Sequence, residues 1–464
     1  MAMLLSAGCT ATPVDRAGGS AARDVRVLTF GQFGVTPGPA LEAWAAEVKA
    51  LSGGALRIEF KNEWQANRVD YETATVEDVR AGTVDIAMVG ARVFDRVGVT
   101  SFQALLAPML VDSQALQARV FAAGIPDRMA EHLEPSGVVS LGTFPGPMRK
   151  MLGVNKSLVR PSDFAGAVIG IQDSELTARA LTALGAVPKP VGPGASLDGL
   201  DGYEQQLGSI VGNQYADAAK YVTANLDLWP RPQVIITSPN LRDSLPAAER
   251  RALESAVVET RPVAEQSVQK EDGTSAALLC RDGMKLPPAS ARDLRAFDRA
   301  FAPLLDELAG EPATGAWLEQ IRSLKAQVAA APDTHTCEGA VTEPVASSIL
   351  DGTYERVQIR GEAVPGCPPA TDFTDPRSAL RLVLRNGTVR EYWLSSAPGA
   401  QPDLGWVGSY QVFRDRIEFT ERSTVIQFTV AWSLKGKRLN LTDLRPFVCG
   451  DANVWVVRPW VRVP

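Results

Sequence analysis

The chain carries two histidines, His132 and His335. His132 sits in the polar run EHLEP and His335 in APDTHTCEG, and neither has the serine, cysteine or aspartate partners that nucleophilic catalysis requires. The loop GASLDG, Gly194 to Gly199, is one residue too long for a G-x-S-x-G nucleophile elbow. No zinc-protease, phosphate-loop or dinucleotide glycine motif is present, so no cofactor or metal is expected. Asp198 and Asp201 are close in sequence and keep a carboxylate-only hydrolase as one alternative, although such a pair in a loop is ordinarily solvated. The remaining candidates hold a molecule rather than transform it. Arg149, in FPGPMRKMLG, and Arg92, after an apolar run, can grip an acid through paired, charge-assisted hydrogen bonds.

Five cysteines come next: Cys9, Cys280, Cys337, Cys367 and Cys449. Leu5-Ser6-Ala7-Gly8-Cys9 matches a bacterial lipobox, in which the cysteine thiol takes a diacylglycerol and the peptide is cut just before it. Only eight residues precede Cys9, without the basic n-region of a signal segment, so an ordinary cysteine is the competing reading. The other four form no C-x-x-C pair. Outside the cytoplasm an even set favours disulfides. Cys280–Cys337 and Cys367–Cys449 are the preferred pairs, since each closes a loop within or beside its own domain; four free thiols are the alternative.

Composition narrows the class. The 464 residues carry a net charge of −6 and 45% hydrophobic content, ordinary for a globular protein of two or three domains. No basic run suits a nucleic acid, and no stretch approaches the ~18 apolar residues that span a bilayer. Residues 10–24 lack any hydrophobic period and read as a tether. Val25–Phe30, ALRIEF and TVDIAMVG read as strands. Between them lie helices GPALEAWAAEVKALSGG and YETATVEDVRAG, each ended by glycine. This alternation implies a parallel sheet covered by helices. GVVSLGTF, AVIGIQ and PQVIITSP continue the strands. From about Ser244 to Ala331 the period is helical, with Leu294, Phe297, Phe301, Leu304 and Leu308 on one face. Past residue 333 the texture changes to alternating strands with turns about every ten residues. Asn386-Gly387 inside ALRLVLRNGTVREYWL is a strong hairpin signal, and Asn386-Gly387-Thr388 also matches a glycosylation acceptor.

The order SGGALRIEF, VEDVRAGTVDIAMVG, LLAPMLVDS, RPSDFAGAVIGI, ALGAVPKPV and DGYEQQLGSIVGNQYADAAKYVT resembles the DctP-type substrate-binding proteins of TRAP transporters. The resemblance implies an α/β fold: a two-lobed, periplasmic-binding-protein-like (type II) receptor over residues 25–332. Residues 1–24 would then be signal remnant and tether, and residues 333–464 an added antiparallel β-barrel or sandwich, faintly lipocalin-like at Asp351-Gly352-Thr353-Tyr354. It implies a small-molecule ligand, integral-membrane transporter subunits as partners, no nucleic acid, and a place outside the cell on the outer face of the cytoplasmic membrane, tethered through Cys9. The family's D-L-x-G-x-K-I-R strand supplies a carboxylate-binding arginine; here Gly170 stands at that position. Gln205 and Gln206 replace the family's Asn-Pro at what reads as a helix start, so the ligand is an organic acid or a neutral analogue.

Arg149 matches a second family arginine. Strand ends add Gln32 and Phe33, Trp64, Gln172 and Asp173, with Tyr215 and Trp229 as aromatic candidates and Glu204 as a fold-supporting carboxylate. A sensory or docking lipoprotein whose β domain binds a partner is the alternative to transport.

Overall fold

The computed structural model describes residues 25–463 except 35, 67, 329–333, 338–346, 360, 366, 368–378, 396–398, 414–415, 422–426 and 446–448. Cys9 and the tether lie outside the described residues. The first sheet runs β2 (Leu56–Lys61), β1 (Arg26–Gly31), β3 (Ile86–Gly90), β11 (Gln233–Thr237), β4 (Val139–Phe144). The second contains β10 (Trp229–Pro230), β5 (Met148–Gly153), β8 (Gly202–Gln205), β6 (Val168–Ile171) and β7 (Val187–Pro190), with β9 (Tyr221–Val222) also paired to β5.

The expected parallel sheet is only partly parallel. β1 pairs in parallel with β2 and β3, but β11 runs antiparallel between β3 and β4. The chain returns from the second lobe at this point, and a strand arriving from the opposite side inserts with opposite polarity. Two short crossings, Phe144 to Met148 and Pro230 to Gln233, join the sheets. They touch tightly: a Cβ on Gly146 would stand 1.7 Å from the Arg231 carbonyl oxygen.

Local rules explain the elements that position the cleft. Helix Pro39–Leu51 buries Leu41, Trp44 and Val48 and leaves Leu51 at its end exposed. Helix Tyr71–Ala81 stops at Gly82, whose φ of 75° favours glycine. Helix Ala247–Arg281, about 50 Å long at the α-helical rise, packs on Pro39–Leu51 and β4 at one end and on helix Leu207–Gly212 of the second lobe at the other. Helices Ala291–Gly310 and Pro312–Lys325 follow, with Phe297, Phe301, Leu304 and Leu308 buried as the period predicts.

Eight antiparallel strands close a barrel: β12 (Gly352–Val357), β13 (Ala379–Arg385), β14 (Thr388–Leu394), β15 (Asp403–Val412), β16 (Arg416–Glu421), β17 (Gln427–Lys435), β18 (Arg438–Arg445) and β19 (Trp460–Val463). The Asn386-Gly387 turn joins β13 to β14, and both residues have positive φ, 48° and 75°, as a type I′ hairpin requires. Of NVWVVRPWVRV only the end is strand: a helix over Cys449–Trp455 precedes β19. The disulfides are Cys280–Cys337 and Cys367–Cys449. Among the described residues no helix is long and apolar enough to cross a membrane, and no side-chain cluster could hold a metal.

Candidate functional site

At the join of the two lobes, Ala91, Arg92, Leu106, Arg149, Trp229, Pro230 and Arg231 line a narrow crevice of about 10 Å³, room for a single water. Several elements bring its groups together. The segment after β3 carries Arg92, β5 carries Arg149, β8 carries Glu204, β10 carries Trp229 and the return crossing carries Arg231. Helix Tyr71–Ala81 supplies Tyr71 and Glu72 from its first turn.

Arg149 is 1% exposed and its donors are fully engaged. It forms a two-point ion pair with Glu204 through Nε and Nη2, the latter 2.8 Å from Oε2. Nη2 also donates to the Glu204 carbonyl at 2.7 Å, and Nη1 to Gln205 Oε1 at 3.0 Å and Gln206 Oε1 at 3.2 Å. Trp229 Nε1 donates to Glu204 Oε1 at 3.0 Å. Burial alone would raise the Glu204 carboxyl; the Arg149 charge, its hydrogen bonds and the Arg92 charge overcome this and hold it below the ordinary carboxylate range.

Glu72 is shared. Its Oε2 accepts from Arg92 Nε at 2.7 Å, and its Oε1 from the Gly90 amide at 2.9 Å and Arg231 Nη2 at 3.1 Å. The Tyr71 hydroxyl accepts from Arg92 Nη2 at 2.9 Å and Arg231 Nη2 at 3.2 Å. Burial raises Glu72 too, and Arg92 and Arg231 pull it below its usual range. For Arg92 burial opposes the charge, while Glu72, Tyr71 and Glu204 raise its pKa on balance. Arg231 Nε is buried with no partner. Three guanidinium groups thus meet two carboxylates. A third carboxyl, Glu271 from the long helix, lies within electrostatic reach of Arg231, and burial raises its pKa.

The candidates read from sequence scatter around this centre. Arg92 and Arg149 line the crevice. Gln205 accepts from Arg149, but it ends strand β8 rather than opening a helix; the helix starts at Leu207. Phe33 is partly exposed and packs on Tyr71, ring centres 4.8 Å apart. Gln32 is buried and tied to Gly34 and Asn62. Trp64 lies over Gly31 and donates to Asp78 at 2.9 Å. Tyr215 sits in the second lobe's core and donates to the Ala195 carbonyl at 2.9 Å. Gln172 is buried with Oε1 unpaired, beside Asp173, which meets Arg96. Gly170 is closely packed: a Cβ there would press on Leu200 Cδ1 at 2.9 Å and Tyr203 Cδ2 at 3.1 Å. Sequence reasoning missed Arg231, Glu72 and Tyr71. The return crossing WPRPQ has no period to mark it, and YETATVEDV shows a helix without showing that Glu72 faces inward.

Two α/β lobes joined by crossings, with a charged crevice at the join, define a two-lobed solute receptor of the periplasmic-binding-protein type. Residues 35–311 match the model of the bacterial extracellular solute-binding proteins, family 7 (DctP), and the chain belongs to that family, which comprises receptors rather than enzymes. It is 24% identical over 241 residues, half of this chain and 72% of the other, to the C4-dicarboxylate-binding periplasmic protein DctP of Rhodobacter capsulatus. Among solved structures it resembles a TRAP periplasmic solute-binding protein of Sulfitobacter sp. with bound β-D-galacturonate: TM-score 0.58, 17% identity, 64% of this chain and 100% of that one. It also resembles DctP7, an extracytoplasmic solute receptor of Bordetella pertussis binding pyroglutamic acid: TM-score 0.57, 19% identity, the same coverage. The barrel lies beyond the family match.

Proposed function

We propose that this chain is a lipid-anchored receptor that captures a small organic acid bearing one carboxylate and delivers it to the membrane subunits of a TRAP-type transporter. Residues 1–24 act as the tether through Cys9, residues 25–332 as the receptor and residues 333–464 as an accessory domain. The observation that carries the ligand class is a crevice lined by Arg92, Arg149 and Arg231 against Glu72 and Glu204, with Arg231 Nε a buried donor lacking a partner. A monoanion fills that donor. A dianion would leave a buried negative charge unmatched, a cost of several kcal/mol.

The galacturonate and pyroglutamate named for the two relatives each carry one carboxylate, in keeping with this reading. Arg149, saturated by Glu204, Gln205 and Gln206, orients the site rather than meeting the ligand first. Arg92 and Arg231 provide the grip. Closing the lobes over the acid excludes water and strengthens each of these contacts.

Calorimetric titration of the full-length protein with D-galacturonate, D-galactose and succinate tests the reading. Galacturonate is expected to bind, with Arg231→Ala weakening it about tenfold or more. Equal binding of galactose, or preference for succinate, overturns the charge argument. For the anchor, Cys9→Ser is expected to move the protein from the membrane to the soluble fraction; an unchanged distribution removes Cys9 from that role.

A further inference from the structure

The barrel's lumen holds a second group of buried charges. Alternation turns Tyr354 and Arg356 of β12 inward, and Val389 and Glu391 of β14. Leu382 of β13 stands opposite both Tyr354 and Glu391, and Leu380 opposite Arg356 and Trp393. Arg356 and Glu391 therefore lie on one lumen wall, two strands and one inward row apart, and each is 4% exposed.

Their hydrogen bonding is incomplete. Arg356 Nη2 donates to the Asn453 carbonyl at 2.9 Å, and the guanidinium stands 4.9 Å from the Trp460 ring centre. Its Nε and Nη1 have no partner, nor have Glu391 Oε1 and Gln358 Oε1, the latter two residues beyond Arg356 and equally buried. Trp393 and Trp406 are half-buried against the barrel core, and Trp455 lies 5.6 Å from Trp406 and 6.0 Å from Trp460. Glu391 reaches toward the solvent end: Oε2 is 2.7 Å from where a Cβ on exposed Gly405 would stand.

A guanidinium lacking two partners and a carboxyl lacking one are costly to bury. Protein interiors meet such groups with protein, water or ligand. No hydrogen bond joins these two, so their unpaired atoms call for a further group, one that accepts from Arg356 and shares a proton with Glu391. Burial pushes the Glu391 carboxyl up to about 7, whereas Arg356, though lowered to about 10, stays charged at neutral pH. The lumen therefore favours an anion. Tryptophan faces favour a flat apolar body beside it.

We propose that the barrel lumen is a ligand site separate from the cleft, taking a small aromatic carboxylic acid with its carboxylate on Arg356 and Glu391 and its ring against Trp393 and Trp406. Benzoate is the probe, titrated into the full-length protein and followed by tryptophan fluorescence and calorimetry. Saturable binding is expected, weakened about tenfold or more by Arg356→Leu and retained in Arg231→Ala. If Arg356→Leu does not fold, Glu391→Gln carries the test: benzoate binding to the unaltered protein weakens as pH rises through about 7, and the amide variant loses that dependence. Absence of benzoate binding overturns the proposal. So does binding lost in Arg231→Ala but kept in Arg356→Leu, which puts the acid in the cleft. Unchanged affinity and pH dependence in both barrel variants means water alone meets the unpaired atoms, and overturns it as well.

Discussion

The cleft and the barrel each bury arginine beside glutamate, and the outcomes are opposite. In the cleft Glu204 accepts from Arg149 and Trp229, and Glu72 accepts from two arginines and a backbone amide. Both carboxyls are held below their ordinary range. In the barrel Glu391 is similarly buried but has an unpaired oxygen, and its carboxyl is raised to about 7. Desolvation acts on all three. In the cleft the arginine charges, reinforced by hydrogen bonds, outweigh desolvation; in the barrel the single Arg356 charge does not.

The largest effect that can break this comparison comes from removing one partner of the completed pair. Glu204→Ala leaves Arg149 buried without a counter-charge, and the receptor lobes are expected to lose about 3–5 kcal/mol in urea unfolding. Glu391→Ala removes a poorly matched charge and is expected to cost the barrel far less. Equal losses would mean that the two pairs are equivalent despite their geometry.

A second test uses pH. A carboxyl whose folded pKa is raised contributes stability that is complete below its unfolded value and lost as pH climbs through the folded value. For Glu391 that window runs from 4.5 to about 7, and the shift corresponds to about 3 kcal/mol. Glu72 and Glu204, with lowered values, contribute stability that is present above the ordinary carboxylate range and lost as pH falls below it. Scanning calorimetry should therefore show the barrel weakening from pH 4.5 to 7, with Glu391→Gln flattening the barrel's slope and leaving the lobes' transition as it was, since raised Glu271 and lowered Glu72 and Glu204 act there independently. A barrel slope that Glu391→Gln leaves unchanged would contradict the assignment.

How far the sequence could reveal this depends on which force shapes each segment. TVDIAMVG and PQVIITSP are strands because they bury apolar side chains, and that is visible in composition. The antiparallel placement of PQVIITSP is set by the path of the crossings, which leaves no periodic trace. MRKMLG buries all six residues of β5, including Arg149 and Lys150. An apolar pattern cannot announce such a strand, because Glu204 and Asp227 make the burial possible. Gln205 read as a helix start by analogy, whereas its hydrogen bond to Arg149 fixes it at a strand end. The β domain was legible through its turns, Asn386-Gly387 above all. Its polar lumen was not, since alternation shows that Arg356 and Glu391 share a face but not that the face is the inner one.

The smallest expected effect sharpens the contrast between a cleft that closes and a barrel that does not. Asp95, in the segment after β3, accepts from Ser174 Oγ at 2.8 Å and the Leu176 amide at 3.0 Å, at the start of helix Glu175–Ala183 in the other lobe. Arg96 pairs with Asp173 beside it. These contacts join the segment after β3 to the second lobe, so an opening that parts the two would break them. Asp95→Ala removes one helix-start acceptor, worth about 1 kcal/mol, and an open–closed equilibrium passes that loss on to apparent affinity as a factor of about five. Galacturonate titration and small-angle scattering of the ligand-bound variant measure it: weaker binding with a larger radius of gyration is expected, while the barrel's thermal transition stays in place. If affinity and radius match the unaltered protein, the Asp95 contacts have no part in closure.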